Sequence, residues 1–250
     1  MRKFIFGIAA ALCVLTAASC SKDNVIRYNN ASMGNVVNGQ FVSDQGNIFN
    51  VVEQSCQGKI DTMKRAFVVC DILSKTAENE YDVRMHYLTE VLTKTPLVMS
   101  EVTDEKLLKD DPILLTDLWV SGGYLNIYIT VPVVPTSKKK HHINLILDNT
   151  VQEDGGYTFL IRHNADGEVL TNDSVNNATM QLAGAYVSFR IADLIKEDSA
   201  KLKIKWCSYK AENGFVISDT LDAEADRIYS KGGFEHAPST ETSSMLLSIE

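Results

Sequence analysis

The residue types best suited to chemistry stand together at Lys138-Lys139-Lys140-His141-His142. Three lysines can gather an anionic glycan or a phosphate, and two imidazoles can ligate a transition metal. Neighbouring residues on a strand point to opposite faces, however, so His141 and His142 are badly placed to hold one ion together. A solvated hairpin tip whose charges keep an edge soluble accounts for the run better than a binding site does. The five residues therefore stand as a candidate ligand surface, and no metal site is expected. A second group, Arg162-His163-Asn164 with Asp166, holds acid–base types where a strand enters a turn. It has no serine-nucleophile motif and no paired carboxylate beside it, so no catalytic residue is assigned. His86 is expected on the polar face of its strand, as a surface residue. Lys201, Lys203 and Lys205 share one strand face, a pattern that fits an edge guarded against pairing with other chains. Gly155-Gly156 and Gly232-Gly233 read as ordinary turns and not as a phosphate cradle, and no cofactor is expected.

Cysteine usage separates one residue from the rest. Arg2 and Lys3, the apolar run FIFGIAAALCVL and the small residues Ala17-Ala18-Ser19 make residues 1–19 a secretory signal peptide, too short to span a membrane. Leu15 to Cys20 resembles a bacterial lipobox, with Ala17 where a branched residue is usual. That resemblance implies cleavage before Cys20 and acylation of its thiol, palmitate-type chains included. Two or three chains on one residue hold a protein to a membrane essentially permanently. The remaining Cys56, Cys70 and Cys207 are odd in number and match neither paired zinc spacings nor a CxxC motif, so buried free thiols are favoured over a Cys56–Cys70 bridge. Loss of Arg2 and Lys3 takes the formal charge from −8 to −10. An acidic, exported body argues against nucleic acid as a partner.

The elements that must position these residues read as strands. Residues 20–34 are polar and aperiodic, and are taken as a lipidated tether. Within 35–103, short strands at Gln40–Val42, Ile48–Val52, Arg65–Leu73 and Tyr81–Leu92 are separated by turns, as in a small β-barrel, with a helical alternative for the last. From 104 to 230 the alternation is stronger. Leu125, Ile127, Ile129 and Val131 fall on one face, as do Ile143, Leu145 and Leu147, and the two runs read as an antiparallel hairpin with its tip at Pro132–Lys140. Tyr157–Ile161, Ala185–Ile191, Leu202–Trp206 and Phe215–Ile217 repeat the habit, with one helical turn at Ile191–Ile195. The result is a β-sandwich with Trp119 in its core. Residues 231–250 form a polar tail, with Ser244–Ile249 a candidate last strand.

The segments DPILLTDLWVSGGYLNIYI, HHINLILD, GYTFLIRHNADGE, AYVSFRIADL and KLKIKW resemble the NigD-like lipoproteins of Bacteroidota. That resemblance implies an all-β chain: a lipoprotein signal, an N-terminal OB-like small β-barrel and a C-terminal antiparallel β-sandwich. It brings no catalytic residues. Asp61-Thr62-Met63, Asp173-Ser174-Val175, Asp198-Ser199-Ala200 and Asp219-Thr220-Leu221 are similar to the O-glycosylation motif of exported proteins in this phylum, where chance would supply roughly one match. Thr62, Ser174, Ser199 and Thr220 are thus candidate glycosylation sites. The expected function is a non-catalytic outer-membrane lipoprotein, periplasmic or surface-facing. It would be a binding or accessory module displaying loops to an envelope protein, a glycan or a peptide. The alternative, suggested by the family name, is an immunity or export factor for a bacteriocin-type peptide. An enzyme ranks third.

Overall fold

The computed structural model describes residues 26–149, 156–172, 179–195, 200–212 and 215–226. The signal peptide, Cys20, Ser174, Ser199 and the 231–250 tail lie outside the described residues. Five strands close a barrel: β1 (Ile26–Val37), β2 (Gln40–Ser43), β3 (Ile48–Gln54), β4 (Arg65–Ala77) and β5 (Glu80–Glu90). Their order, β1-β2-β3-β5-β4, with β3 parallel to β5, is that of an OB-type barrel. The β1–β2 hairpin turns on Asn38-Gly39, both at positive φ, as a two-residue turn matched to strand twist requires. A Cβ at Gly34 would overlap the Val42 carbonyl, so β1 can cross β2 closely only with glycine there.

The unbroken apolar run of β4 has a two-sided cause. Ala66, Val68 and Cys70 fill the barrel with Phe41, Phe49, Val83 and Met85. Phe67 and Val69 point outward, yet they are buried too, in a cluster with Met33, Val91, Trp119 and Tyr186. That second cluster is the seam with the sandwich. Phe67 stacks on Tyr186 at 4.2 Å, and Tyr186 lies 4.6 Å from Tyr128. Trp119, expected in the sandwich core, packs half-buried at this seam instead.

The sandwich has two sheets. One runs β14-β13-β11-β10-β7 and the other β6-β12-β9-β8. The strands are β6 (Leu92–Lys94), β7 (Leu97–Val98), β8 (Leu114–Ser121), β9 (Tyr124–Val133), β10 (His142–Asp148), β11 (Tyr157–Asn164), β12 (Gln181–Arg190), β13 (Lys201–Glu212) and β14 (Phe215–Asp226). The long pairings are antiparallel, with parallel joins at β7–β10, β6–β12 and β11–β13. Between the sheets, Leu125, Ile127, Ile129, Val187 and Phe189 face Ile143, Leu145, Phe159, Ile161, Leu202 and Ile204. Each such side chain, fully buried, contributes about 1.5–3 kcal/mol.

Four expectations change. β9 and β10 do not form a hairpin. β9 pairs with β8 through the tight turn Gly122-Gly123, while β10 belongs to the opposite sheet, so residues 134–141 cross between sheets. Both strands need an apolar face, and facing each other across the core satisfies both. β13 is no edge either, since it lies between β11 and β14. Its lysines meet the acids of β14, with Lys203 at 2.9 Å from Asp222 and Lys210 at 3.5 Å from Asp219. The segment read as tether carries β1 from Ile26 onward. The sandwich begins at β6, before residue 104, because Leu92 packs on its core.

Where the two halves meet, Arg65 holds Asp44 in a double hydrogen bond of 2.8 and 2.7 Å, with both side chains 1% exposed. Arg65 also donates to Asn35, to Asn126 at 2.9 Å and to Ser188 at 2.9 Å, and lies 3.9 Å over the Tyr124 ring. Ser121 donates to Asp44 at 2.5 Å. A Cβ at Gly122 would overlap the Asp44 carboxylate, so that glycine makes room for the contact. Removing one partner of such a pair strands a buried charge. Asp44→Ala is expected to cost about 3–5 kcal/mol in urea unfolding, against about 1–2 kcal/mol for Ser188→Ala.

Candidate functional site

The crossover from β9 to β10 builds the most distinctive group of polar residues. Lys138, Lys139 and Lys140 are exposed at its tip, while His141 is 2% exposed and His142 half-buried. The candidate ligand surface therefore does not hold together as five residues. Its lysines face water and His141 turns inward. The tip is tied down at several points. The Lys139 N–H donates to Ser137 Oγ at 3.0 Å, Lys139 Nζ to the Asp166 carbonyl at 2.7 Å, and the Val134 N–H to Glu168 Oε2 at 3.2 Å.

Beneath the tip, His141 meets His163, which sequence reasoning had placed in a different group. The inward row Phe159, Ile161 of β11 continues to His163, and the inward row Leu145, Ile143 of β10 continues back to His141. Register places Ile143 opposite His163, so the two imidazoles become diagonal neighbours at the end of the core. His141 Nδ1 lies 3.0 Å from His163 Nε2, with the rings 19° from parallel. His141 Nε2 lies 3.3 Å from Glu168 Oε2, and His163 Nδ1 lies 3.2 Å from the Asp111 carbonyl. Glu168, only 4% exposed, is delivered by the turn Asp166-Gly167, both at positive φ. Asp111 Oδ2 accepts the Ala165 N–H at 2.8 Å and fixes the same turn.

Burial, with the charge of His141 beside it, pushes His163 down to about 4. Burial alone would raise the Glu168 carboxyl, but hydrogen bonds from Ser137, Val134 and His141 overcome it and hold the group below the usual carboxylate range. With His141 and His163 each 2% exposed, no substrate reaches either ring in this conformation.

A second constellation lies on the barrel wall. Ser55 Oγ is 3.2 Å from His86 Nδ1, and His86 Nε2 is 2.9 Å from Asp71 Oδ2. The sequence reading missed Asp71 because strand pairing, not spacing, brings β4 beside β5. These are the groups of a nucleophilic triad, but with the ring nitrogens exchanged. The Ser55 hydroxyl also faces the Met85 carbonyl at 3.2 Å, so its one hydrogen serves two acceptors. Ser55 and His86 are exposed, and the group pins β3, β4 and β5 together. Cys56, Cys70 and Cys207 are free, and burial, followed by the charge of Asp71, pushes the Cys70 thiol up to about 12. Of the candidate glycosylation sites, Thr62 lies exposed in a single 3-10 turn, and Thr220 is exposed on β14. Among the described residues no helix is long and apolar enough to cross a membrane, and no cluster of His, Cys, Asp or Glu is arranged to hold a metal ion.

A family model, the NigD-like C-terminal beta sandwich domain, matches residues 95–219. The chain belongs to the NigD-like family. The matched span opens between β6 and β7 and takes in the histidine pair, Glu168 and the lysine tip. Three crystal structures share the fold of this NigD-like chain. A protein of unknown function from Bacteroides vulgatus is 18% identical, with a TM-score of 0.55 over 78% of this chain and 90% of that one. A NigD-like immunity protein from Bacteroides caccae is 20% identical, with a TM-score of 0.52 over 76% and 90%. A candidate lipoprotein from Bacteroides fragilis is 11% identical, with a TM-score of 0.54 over 80% and 98%. No curated protein sequence matches the chain.

His163 gives this chain's fold an acid limit. An imidazole kept neutral when folded, but free to protonate when unfolded, favours the unfolded chain once pH drops below the ordinary value of 6.5. The loss grows until about 4, where the folded ring protonates as well. It amounts to about 3 kcal/mol in urea unfolding between pH 7 and pH 4. Glu168, held below the ordinary carboxyl value of 4.5, adds a further loss at the acid end. His163→Asn is expected to flatten the first part of this profile and leave the second.

Proposed function

We propose that this NigD-like chain is a non-catalytic envelope lipoprotein that presents the 134–141 tip to an anionic partner, an envelope glycan or an acidic protein surface. One observation carries the reading. Three consecutive exposed lysines stand on a body whose formal charge is −10 without Arg2 and Lys3, on a loop fastened to the sandwich at Asp166 and Glu168. A fastened loop loses little entropy on binding, and a basic point on an acidic body steers an anion to one place. Acid–base groups beneath the tip are sealed, and the exposed Ser55 hydroxyl is shared between His86 and the Met85 carbonyl. Neither feature favours a reaction.

Attachment rests on the sequence. The lipobox-like stretch before Cys20 supports an outer-membrane anchor of two or three acyl chains, with the folded body beginning at Ile26 close behind it. Exposure of Thr62 and Thr220 supports glycosylation at those two positions. An intact mass above that of peptide plus lipid, lowered when both threonines become alanine, supports it. A mass equal to peptide plus lipid removes it.

Binding is tested on an array of anionic envelope glycans with the wild-type chain and the double variant K138A/K140A, which leaves the Lys139 tie to Asp166 in place. The variant should lose at least tenfold in affinity while keeping its melting temperature. Equal binding by both proteins overturns the reading. Protection of sensitive cells against a peptide toxin on expression of the chain would replace it with the immunity role carried in the name of the Bacteroides caccae relative. Cys20→Ser should abolish fatty-acid labelling and move the protein from membrane to soluble fractions. Protease shaving of intact cells then reports which side of the outer membrane the body faces.

A further inference from the structure

We infer that His141, His163 and Glu168 form an acid-sensitive latch: one shared proton holds the 134–141 tip on the sandwich, and uptake of a second releases it. The available hydrogens fix the protonation of the trio. A carbonyl oxygen only accepts, so the Asp111 carbonyl, 3.2 Å from His163 Nδ1, requires the hydrogen on that nitrogen. Neutral His163 then offers the Nε2 lone pair, and His141 Nδ1, at 3.0 Å, must donate to it. His141 Nε2 and Glu168 Oε2, at 3.3 Å, need one further hydrogen between them. Two neutral rings and a carboxylate supply only two hydrogens for these three links. The docked state therefore holds one extra proton, leaving the trio without net charge.

One more proton has two places to go, and both break the fit. On His163 Nε2 it sets two N–H groups against each other across 3.0 Å, between rings stacked at 5.1 Å. On Glu168 it removes the charge that Val134, Ser137 and His141 donate to. Asp111 stands beside His163 and favours its protonation, as does the carbonyl of Pro112, yet the buried ring remains the poorer base. Asp110 is held by Arg162 at 2.6 Å, and Lys139 is engaged by the Asp166 carbonyl. Release frees the loop that carries the three lysines, so acid would change how the tip is presented. The latch does not depend on what the tip binds.

Amide hydrogen exchange on the full chain tests it without any ligand. The Val134, Ala165 and Glu168 amides report the latch, since their acceptors are Glu168, Asp111 and the Ala165 carbonyl. With His163 at about 4 when docked and near 6.5 when released, protection would fall roughly twentyfold from pH 7 to pH 5 on its account alone; the extra proton that docking holds offsets about fourfold of this, so protection corrected for intrinsic rates should fall roughly fivefold. Val68 and Met85 in the barrel should hold theirs. His163→Asn should abolish the response. Unchanged protection in the wild type, or the same acid response in the variant, overturns the latch. Should the variant misfold, imidazole nitrogen spectra of the wild type carry the test. A neutral, Nδ1-protonated His163 at pH 6 supports the latch, and a cationic ring at that pH with the amides still protected overturns it.

Discussion

Two opposite charges without access to water fix how the halves of this protein meet. Arg65 opens β4, Asp44 opens the turn after β2, and Asn126, Ser188 and Ser121 of the sandwich complete their hydrogen bonding beside Asn35 of β1. Neither domain alone could bury that pair with its partners satisfied. Desolvation makes such a pair a poor source of stability, but it penalises every docking in which one hydrogen bond is missing. The apolar seam of Phe67, Tyr186, Trp119 and Met33 supplies the area, and the Arg65 group selects the orientation. β4 shows the cost in sequence: alternate residues serve two different cores, so the strand has no exposed face through its first seven positions.

Much of the architecture is legible because alternation is a local property. The inward rows of β9, β10, β11, β12 and β13 follow from residue parity, as do barrel strands β2 to β5, whereas β1 lies largely in a stretch without that alternation. Pairing is not local. Nothing between Val131 and Ile143 distinguishes a hairpin from a crossing, since both need two apolar faces and a polar connection. The lysines of β13 looked like an edge for the same reason: their acidic partners on β14 are opposite in register, not adjacent in sequence.

The histidine site was half legible. Parity that places Ile143 and Ile161 in the core also places His141 and His163 there, two residues further along each strand. Both were instead grouped with their charged neighbours, Lys140 and Arg162, which point away. Glu168 carries less signal, because its burial depends on a turn with two positive φ values and on Asp111 holding Ala165. Asp71 beside His86 carries none. Side chains at the end of an apolar row deserve the parity of the row, whatever their own polarity.

The short strands β6 and β7 have a consequence for how the chain reaches this state. They leave the barrel directly, straddle both sheets of the sandwich, and pair in parallel with β12 and β10. Their partners are made much later, and loop closure over such separations is slow. The barrel can close on its own strands as soon as β5 is available, whereas the first strands of the sandwich must wait for nearly its last. Until β12 is in place to pair with β6, a closed barrel has nothing to cover its seam, Phe67 and Val69 included.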